Sequence, residues 1–325
     1  MLNSPPFQGG VDAKQTGWLR CDPSLPPPRP QARAPLLGQE GNLICVHLRS
    51  AAVALLLSGS ALAATPGAAP DIPTPYLPST QVAVDEMLRL AGTGPDDLVV
   101  DLGSGDGRVV IAAARDYGAR GLGIEIDPKL VAESEANALQ AGVAERVAFR
   151  QGDVLAADYR AATVVTLYLL PNLVDRVKPR LLAELKPGTR IVAHDYGFSD
   201  WKPDRSVVIS KTYHLYLVPA DVAGKWRLHA VLPEGEREFD FDLEQRYQEI
   251  RGGARVAGGY LPAFEARLAG DRIAFVLVDN GTSHRFEGRV QGTLLMEGTV
   301  RSGAGRDPAA GSWRATRVIR GADEG

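Results

Sequence analysis

The chain has 325 residues, of which 45% are hydrophobic and 23% charged, and its formal net charge at pH 7 is −3. Those proportions suit a globular protein of about two domains, and they argue against wholesale disorder and against the basic footprint of a nucleic-acid binder. The two cysteines, Cys21 and Cys45, lie at the front, and the five histidines are scattered without H-x-x-x-H spacing, so neither a disulfide framework nor a dedicated metal site is expected.

Residues 1–45, with Pro26-Pro27-Pro28-Arg29-Pro30 and no periodicity, read as disordered or as a mis-assigned upstream stretch. A different pattern follows. His47-Leu48-Arg49-Ser50 is short and basic, Ala51–Leu57 opens an apolar run to Ala63, and Ala61-Leu62-Ala63 supplies a small-x-small cleavage signature. The run is shorter than the roughly 20 residues of a spanning helix. Residues 46–63 are therefore expected to form a bacterial signal peptide and to send the chain to the periplasm or outside the cell. A buried alanine-rich helix is the bland alternative, with a cytoplasmic chain; a retained signal would leave the chain membrane-anchored. Translation is expected to start near Val46. Residues 64–78 form a Pro/Ala linker.

From Ser79 the pattern alternates between helix and strand. Val84, Met87, Leu88 and Ala91 share one helix face, and Gly92 is its stop. Leu98-Val99-Val100 is a strand running into Asp101, and Arg108–Tyr117 a helix closed by Gly118. Gly121–Ile126 is the next strand. Asp127-Pro128 supplies an N-cap and an N1 proline for a helix ending at Gly142. Val147–Gln151 and Thr163–Leu170 are strands three and four. A helix is expected to start at Pro179, followed by a strand over Ile191–His194 and a hairpin from Arg205–Ser210 and Tyr213–Val218. Apolar strands separated by helices predict an α/β, doubly wound parallel sheet over 79–221. Over 222–325 the helical pattern disappears. Trp226–Leu232, Glu238–Leu243, Ile273–Val278, Arg285–Val290 and Leu294–Val300 read as strands, and Arg251-Gly252-Gly253 and Asn280-Gly281 as turns. A small antiparallel β barrel or sandwich is expected there, as a structural or oligomerisation module or a recognition module.

The chemistry concentrates in Asp101-Leu102-Gly103-Ser104-Gly105-Asp106-Gly107-Arg108. A glycine loop between strand and helix lets the backbone approach a ligand. A dinucleotide fingerprint needs glycine where Arg108 stands, and the acid two residues ahead of the first glycine suits a positively charged amino-acid group better than a pyrophosphate. Glu125, ending the second strand, is placed to accept from ribose hydroxyls; Asp153, just after the third, could accept from an adenine amine. Each could also be a cap or loop acid, but three acids at three successive strand ends form a pattern.

This constellation resembles the class I S-adenosylmethionine-dependent methyltransferases. Within that superfamily, Arg108-Val109-Val110, Tyr168-Leu169-Leu170-Pro171 and Asp200-Trp201-Lys202-Pro203 make it most similar to the small lysine methyltransferases related to the mitochondrial enzyme acting on the c-type subunits of ATP synthase. The resemblance implies a Rossmann-like seven-stranded sheet with its last strand inserted antiparallel, and S-adenosylmethionine held by Asp101, Gly103, Ser104, Gly105, Gly107, Glu125 and Asp153. Tyr76, in the linker, would close over the methionine end. Tyr168 and Asn172 end strand four, where an acceptor would enter, and Asp195 follows strand five as base or orienter. Tyr168 also reads as a core residue and His194 as a structural histidine. The expected activity is methyl transfer to a protein lysine; the rivals are a small-molecule O- or N-methyltransferase, an exported non-catalytic binding protein on the same scaffold, and an NAD-linked oxidoreductase.

Overall fold

The computed structural model describes residues 76–303 and 309–319. The upstream stretch, the expected signal peptide, both cysteines and the linker up to residue 75 lie outside the described residues.

The first helix, α1 (Gln81–Ala91), starts where the Thr80 hydroxyl accepts from Ala83 N and stops at Gly92, whose φ is +62°. It is followed by β1 (Leu98–Leu102), α2 (Arg108–Tyr117), β2 (Arg120–Glu125), α3 (Pro128–Gln140) and β3 (Val147–Gln151). Then come β4 (Val164–Leu167), α4 (Pro171–Glu184), β5 (Arg190–His194), β6 (Arg205–Val208) and β7 (Thr212–Leu217). The seven strands make one sheet in the order β3-β2-β1-β4-β5-β7-β6. The first five are parallel, and β7 runs antiparallel between β5 and β6. Val100, Leu102, Val165 and Leu167 are buried completely, which is why these strands carry no polar alternation. Strand order reverses between β1 and β4, and the carboxyl ends of strands at such a switch are where open α/β sheets bind ligands.

The expected start of α4 at Pro179 is corrected: the helix begins at Pro171, with Pro179 inside it. Pro171 at N1 forgoes only an amide that would be unpaired anyway. The buried stripe of Val174, Val177 and Leu181 runs past Pro179 and holds the helix across the missing hydrogen bond. The earlier start shortens β4, so Tyr168–Leu170 becomes loop.

Beyond Leu217 lies a nine-stranded antiparallel sheet. Its strands are β8 (Gly224–Leu232), β9 (Gly235–Arg246), β10 (Glu249–Val256), β11 (Gly259–Pro262), β12 (Phe264–Ala269), β13 (Arg272–Asp279), β14 (Thr282–Gln291), β15 (Leu295–Ser302) and β16 (Ala309–Arg317). The order is β11-β10-β9-β8-β16-β15-β14-β13-β12. Its two edges, β11 and β12, are consecutive in sequence, and β10 and β11 come up against β12 and β13, so the sheet curls into a nearly closed barrel. Alternate side chains fill it: Phe239, Phe241 and Leu243 of β9 point inward, and Phe275 stacks between Phe241 (4.7 Å) and Phe286 (4.8 Å). Asn280-Gly281 is a turn as expected, with φ +48° and +80°. Arg251-Gly252-Gly253 is not a turn but part of β10. The glycines there allow close strand approach, since a Cβ on Gly252 would run into Asp242 O. Both sheets belong to one compact unit.

Candidate active site

A cavity of about 560 Å³ opens at the carboxyl ends of β1, β2 and β4. Its inner wall is the loop between β1 and α2. Gly103, Gly105 and Gly107 have φ of +79°, +54° and +81°, so the tight turn depends on glycine. Gly103 N and Ser104 N both donate to Ile124 O, at 2.8 and 3.0 Å, which pins the loop to β2.

Asp101 is buried on this wall and accepts from the Thr166 hydroxyl at 2.7 Å. Burial pushes its carboxyl up to about 7, against the Thr166 hydrogen bond; the neighbouring Glu125 and Asp106 charges add to the rise. Thr166 was not legible as a site residue. Its one signal is that it is the lone hydroxyl in the apolar strand Val164–Leu167, directly opposite Asp101 in the register.

The Glu125 carboxylate accepts from Gly105 N (2.8 Å) through Oε2 and from Ile126 N (2.8 Å) and Asp127 N (3.0 Å) through Oε1. Main chain thus takes three of roughly four acceptor positions, and the free one is on Oε2. Asp153 is exposed on the cavity wall; its Oδ1 caps Leu155 N at 2.8 Å.

Across the mouth runs a strap, residues 76–79. The Tyr76 ring lies over Gly105, close enough that a Cβ there would strike it. Arg108 anchors the strap by donating to Ser79 O at 2.5 Å, while its Nε donates to Asp106 at 2.8 Å. At the strap's end the Ser79 hydroxyl meets His194 Nδ1 at 3.1 Å. His194 is buried between Tyr168 and Tyr213, with ring centroids 4.1 and 5.1 Å away, and burial holds its pKa below the usual imidazole range.

The structure brings most of the sequence-derived residues together. Tyr76, Asp101, Gly103, Ser104, Gly105, Glu125, Asp153, Tyr168 and Asn172 all line the cavity. Gly107 and Asp195 do not. Gly107 packs against Phe149 and Ser134 as the first residue ahead of α2, a position with no room for a Cβ. Asp195 has φ +65° and is paired with Lys211 at the start of β7, one step beyond the wall. Wall residues that sequence reasoning did not assign to the site include Leu77, Met87, Leu130 and Arg176.

The residues fit S-adenosylmethionine. A buried acid near neutrality suits a cation, Gly105 presents backbone without a side chain, and the buried Ser104 hydroxyl has no partner among the described residues. A family model described as the ANTKMT methyltransferase domain matches residues 101–205. A protein-lysine N-methyltransferase of Saccharolobus islandicus is 38% identical over 150 residues, covering 44% of this chain and 93% of that protein. The chain belongs to this methyltransferase family. It is an S-adenosylmethionine-dependent enzyme, and the third-glycine position held by Arg108 separates it from the NAD-linked rival. A lysine N-methyltransferase of Xenopus laevis named for the c-type subunits of ATP synthase is 34% identical over 43% of this chain and 63% of its own length. An RNA methyltransferase of Salinibacter ruber, solved with S-adenosyl-L-homocysteine, is 50% identical over 45% of this chain and 96% of its own, with a TM-score of 0.44.

Proposed function

We propose that the enzyme methylates the ε-amine of a lysine in a protein acceptor. One observation carries the geometric half of this reading: a single cavity runs from Asp101 and the glycine loop to Tyr168, Asn172 and Arg176 at the β4–α4 junction. The lysine follows from kinship with the protein-lysine methyltransferases.

S-adenosylmethionine supplies an electrophilic methyl on a positively charged sulfur. Asp101 would hold the cation of the donor's amino-acid end, and Glu125 and Asp153 would accept from its hydroxyl and amine groups. The Tyr76–Ser79 strap covers the glycine loop and excludes water, so that alignment and desolvation do most of the work. A lysine enters between Tyr168 and Asn172. Leaving water favours its neutral, nucleophilic form, and Tyr168 packs beside the amine with its ring held against His194.

Incubation with methyl-labelled S-adenosylmethionine and a fractionated extract tests this reading. Label is expected in protein, released as methylated lysine on hydrolysis. Label confined to RNA, or to small molecules, would overturn it.

A further inference from the structure

The turn joining β9 to β10 has two residues, Tyr247 and Gln248, because Arg246 pairs with Glu249. Tyr247 has φ +55°, a region that costs a bulky residue energy and persists only where the surroundings demand the side chain. Here they do. The Tyr247 hydroxyl donates to Asp200 Oδ2 at 2.8 Å, and its ring stacks on Trp201 with centroids 5.4 Å apart and planes within 18°. Gln248 holds the same loop: Trp201 Nε1 donates to Gln248 Oε1 at 2.8 Å, and Gln248 Nε2 donates to Lys202 O at 2.6 Å.

The loop so gripped is itself fastened to α4. Asp200 pairs through Oδ1 with Lys178, whose ammonium also lies 5.9 Å from the Tyr247 ring centre. Ser199 N donates to Asp175 Oδ1 at 3.0 Å. On the same helix Asn172, Leu173 and Arg176 line the cavity, and Lys178 is about 9 Å along the axis from Asn172 at 1.5 Å per residue. Barrel turn, loop and helix thus form one chain of contacts ending at the mouth. Asp101, Gly105, Glu125 and Asp153 belong to β1–β3 and their loops, outside that chain.

We propose that Tyr247 is a positioning residue for methyl transfer: by locking the Asp200–Trp201 loop, the barrel holds α4 where Asn172 and Arg176 form the acceptor side of the cavity. The proposal rests on the methyltransferase reading and gives the second sheet a part in it. Tyr247 touches neither end of the cavity and acts only through α4.

The full chain is compared with Tyr247→Gly, which removes the clamp while suiting the positive φ, and with Tyr247→Phe, which keeps the stack and loses the hydrogen bond. Three readouts are taken: calorimetric affinity for S-adenosylhomocysteine, kinetics of methyl transfer to poly-L-lysine, and amide hydrogen exchange over 171–178. In Tyr247→Gly, the acceptor KM is expected to rise about tenfold and α4 to exchange at least tenfold faster, with donor affinity within twofold of wild type. Tyr247→Phe is expected to recover most of both. Wild-type exchange across α4 in Tyr247→Gly would overturn the proposal, as would an equal loss of donor affinity. Failure of the wild type to methylate poly-L-lysine while it binds S-adenosylhomocysteine would instead count against the lysine reading. The exchange comparison would then decide the positioning role by itself.

Discussion

Asp101 is buried on the cavity wall, and that burial pushes its carboxyl up to about 7. A cationic donor favours the ionised form, so donor binding below about pH 7 must release a proton. Affinity is expected to rise with pH up to about 7 and then flatten, with proton release measurable by calorimetry in buffers of different ionisation enthalpy. Asp101→Asn should bind at least tenfold more weakly at pH 8 and lose that pH dependence. The stability sign is the reverse. Without donor, the folded chain holds the Asp101 proton more tightly than the unfolded chain does, from the usual carboxylate value of about 3.9 up to about 7. The contribution to stability therefore falls as pH rises through that window, and Asp101→Asn should melt higher than wild type at pH 8. At Gly105, both the positive φ and the Tyr76 ring oppose a side chain. Gly105→Ala is expected to displace Tyr76 and weaken donor binding by an order of magnitude or more, read by the same titration. Asp101, Gly103, Gly105, Glu125 and Asp153 were legible because strand ends and a glycine loop have sequence signatures. Thr166 and Arg176 were hidden because partnership across strands and the facing of a helix are set by packing, which one sequence does not display.

The element that most changes the picture is the strap of residues 76–79. By sequence it is the end of a linker, with Tyr76 alone singled out. Its anchors, Arg108 to Ser79 O and the Ser79 hydroxyl to His194, connect positions far apart in the chain, and no local pattern announces them. If the strap retains the donor, Tyr76→Ala should speed dissociation of S-adenosylhomocysteine about tenfold in stopped-flow measurements while leaving the melting temperature within a few degrees. An unchanged off-rate would mean that the strap is only a chain crossing. The stop of α1 at Gly92 and the start of α3 at Asp127-Pro128 were legible, because a C-cap glycine and an N-cap followed by proline are local signals. Where a boundary depended on proline alone, as at Pro179, burial of Val174, Val177 and Leu181 outweighed the local signal. Likewise Gly252-Gly253 has the composition of a turn, although those glycines serve close approach of strands.

On the scale of the molecule, the two sheets join through polar and aromatic contacts around Trp201, and the second is a barrel with an aromatic core. Five of its nine strands were legible in the sequence, since short strands such as β11 carry too little alternation to stand out from their turns. Removing the central ring, Phe275→Ala, should cost about 3–5 kcal/mol. Because both sheets lie in one compact unit, calorimetry is expected to show one lowered transition; a barrel melting separately from an unshifted first sheet would show that the two fold independently. The proposed signal peptide has its own check: N-terminal sequencing of the exported chain should begin at Ala64, and a mature chain retaining residues 46–63 would show the segment kept as an anchor. The central claim, that the cavity between the glycine loop and α4 holds the methyl donor, is tested most directly by titrating S-adenosylhomocysteine, with NAD as control, into the folded protein and into Glu125→Ala. S-adenosylhomocysteine should bind, NAD should not, and Glu125→Ala should weaken binding at least tenfold by freeing Gly105 N and opening the loop. Absence of binding by correctly folded wild-type protein would contradict the account.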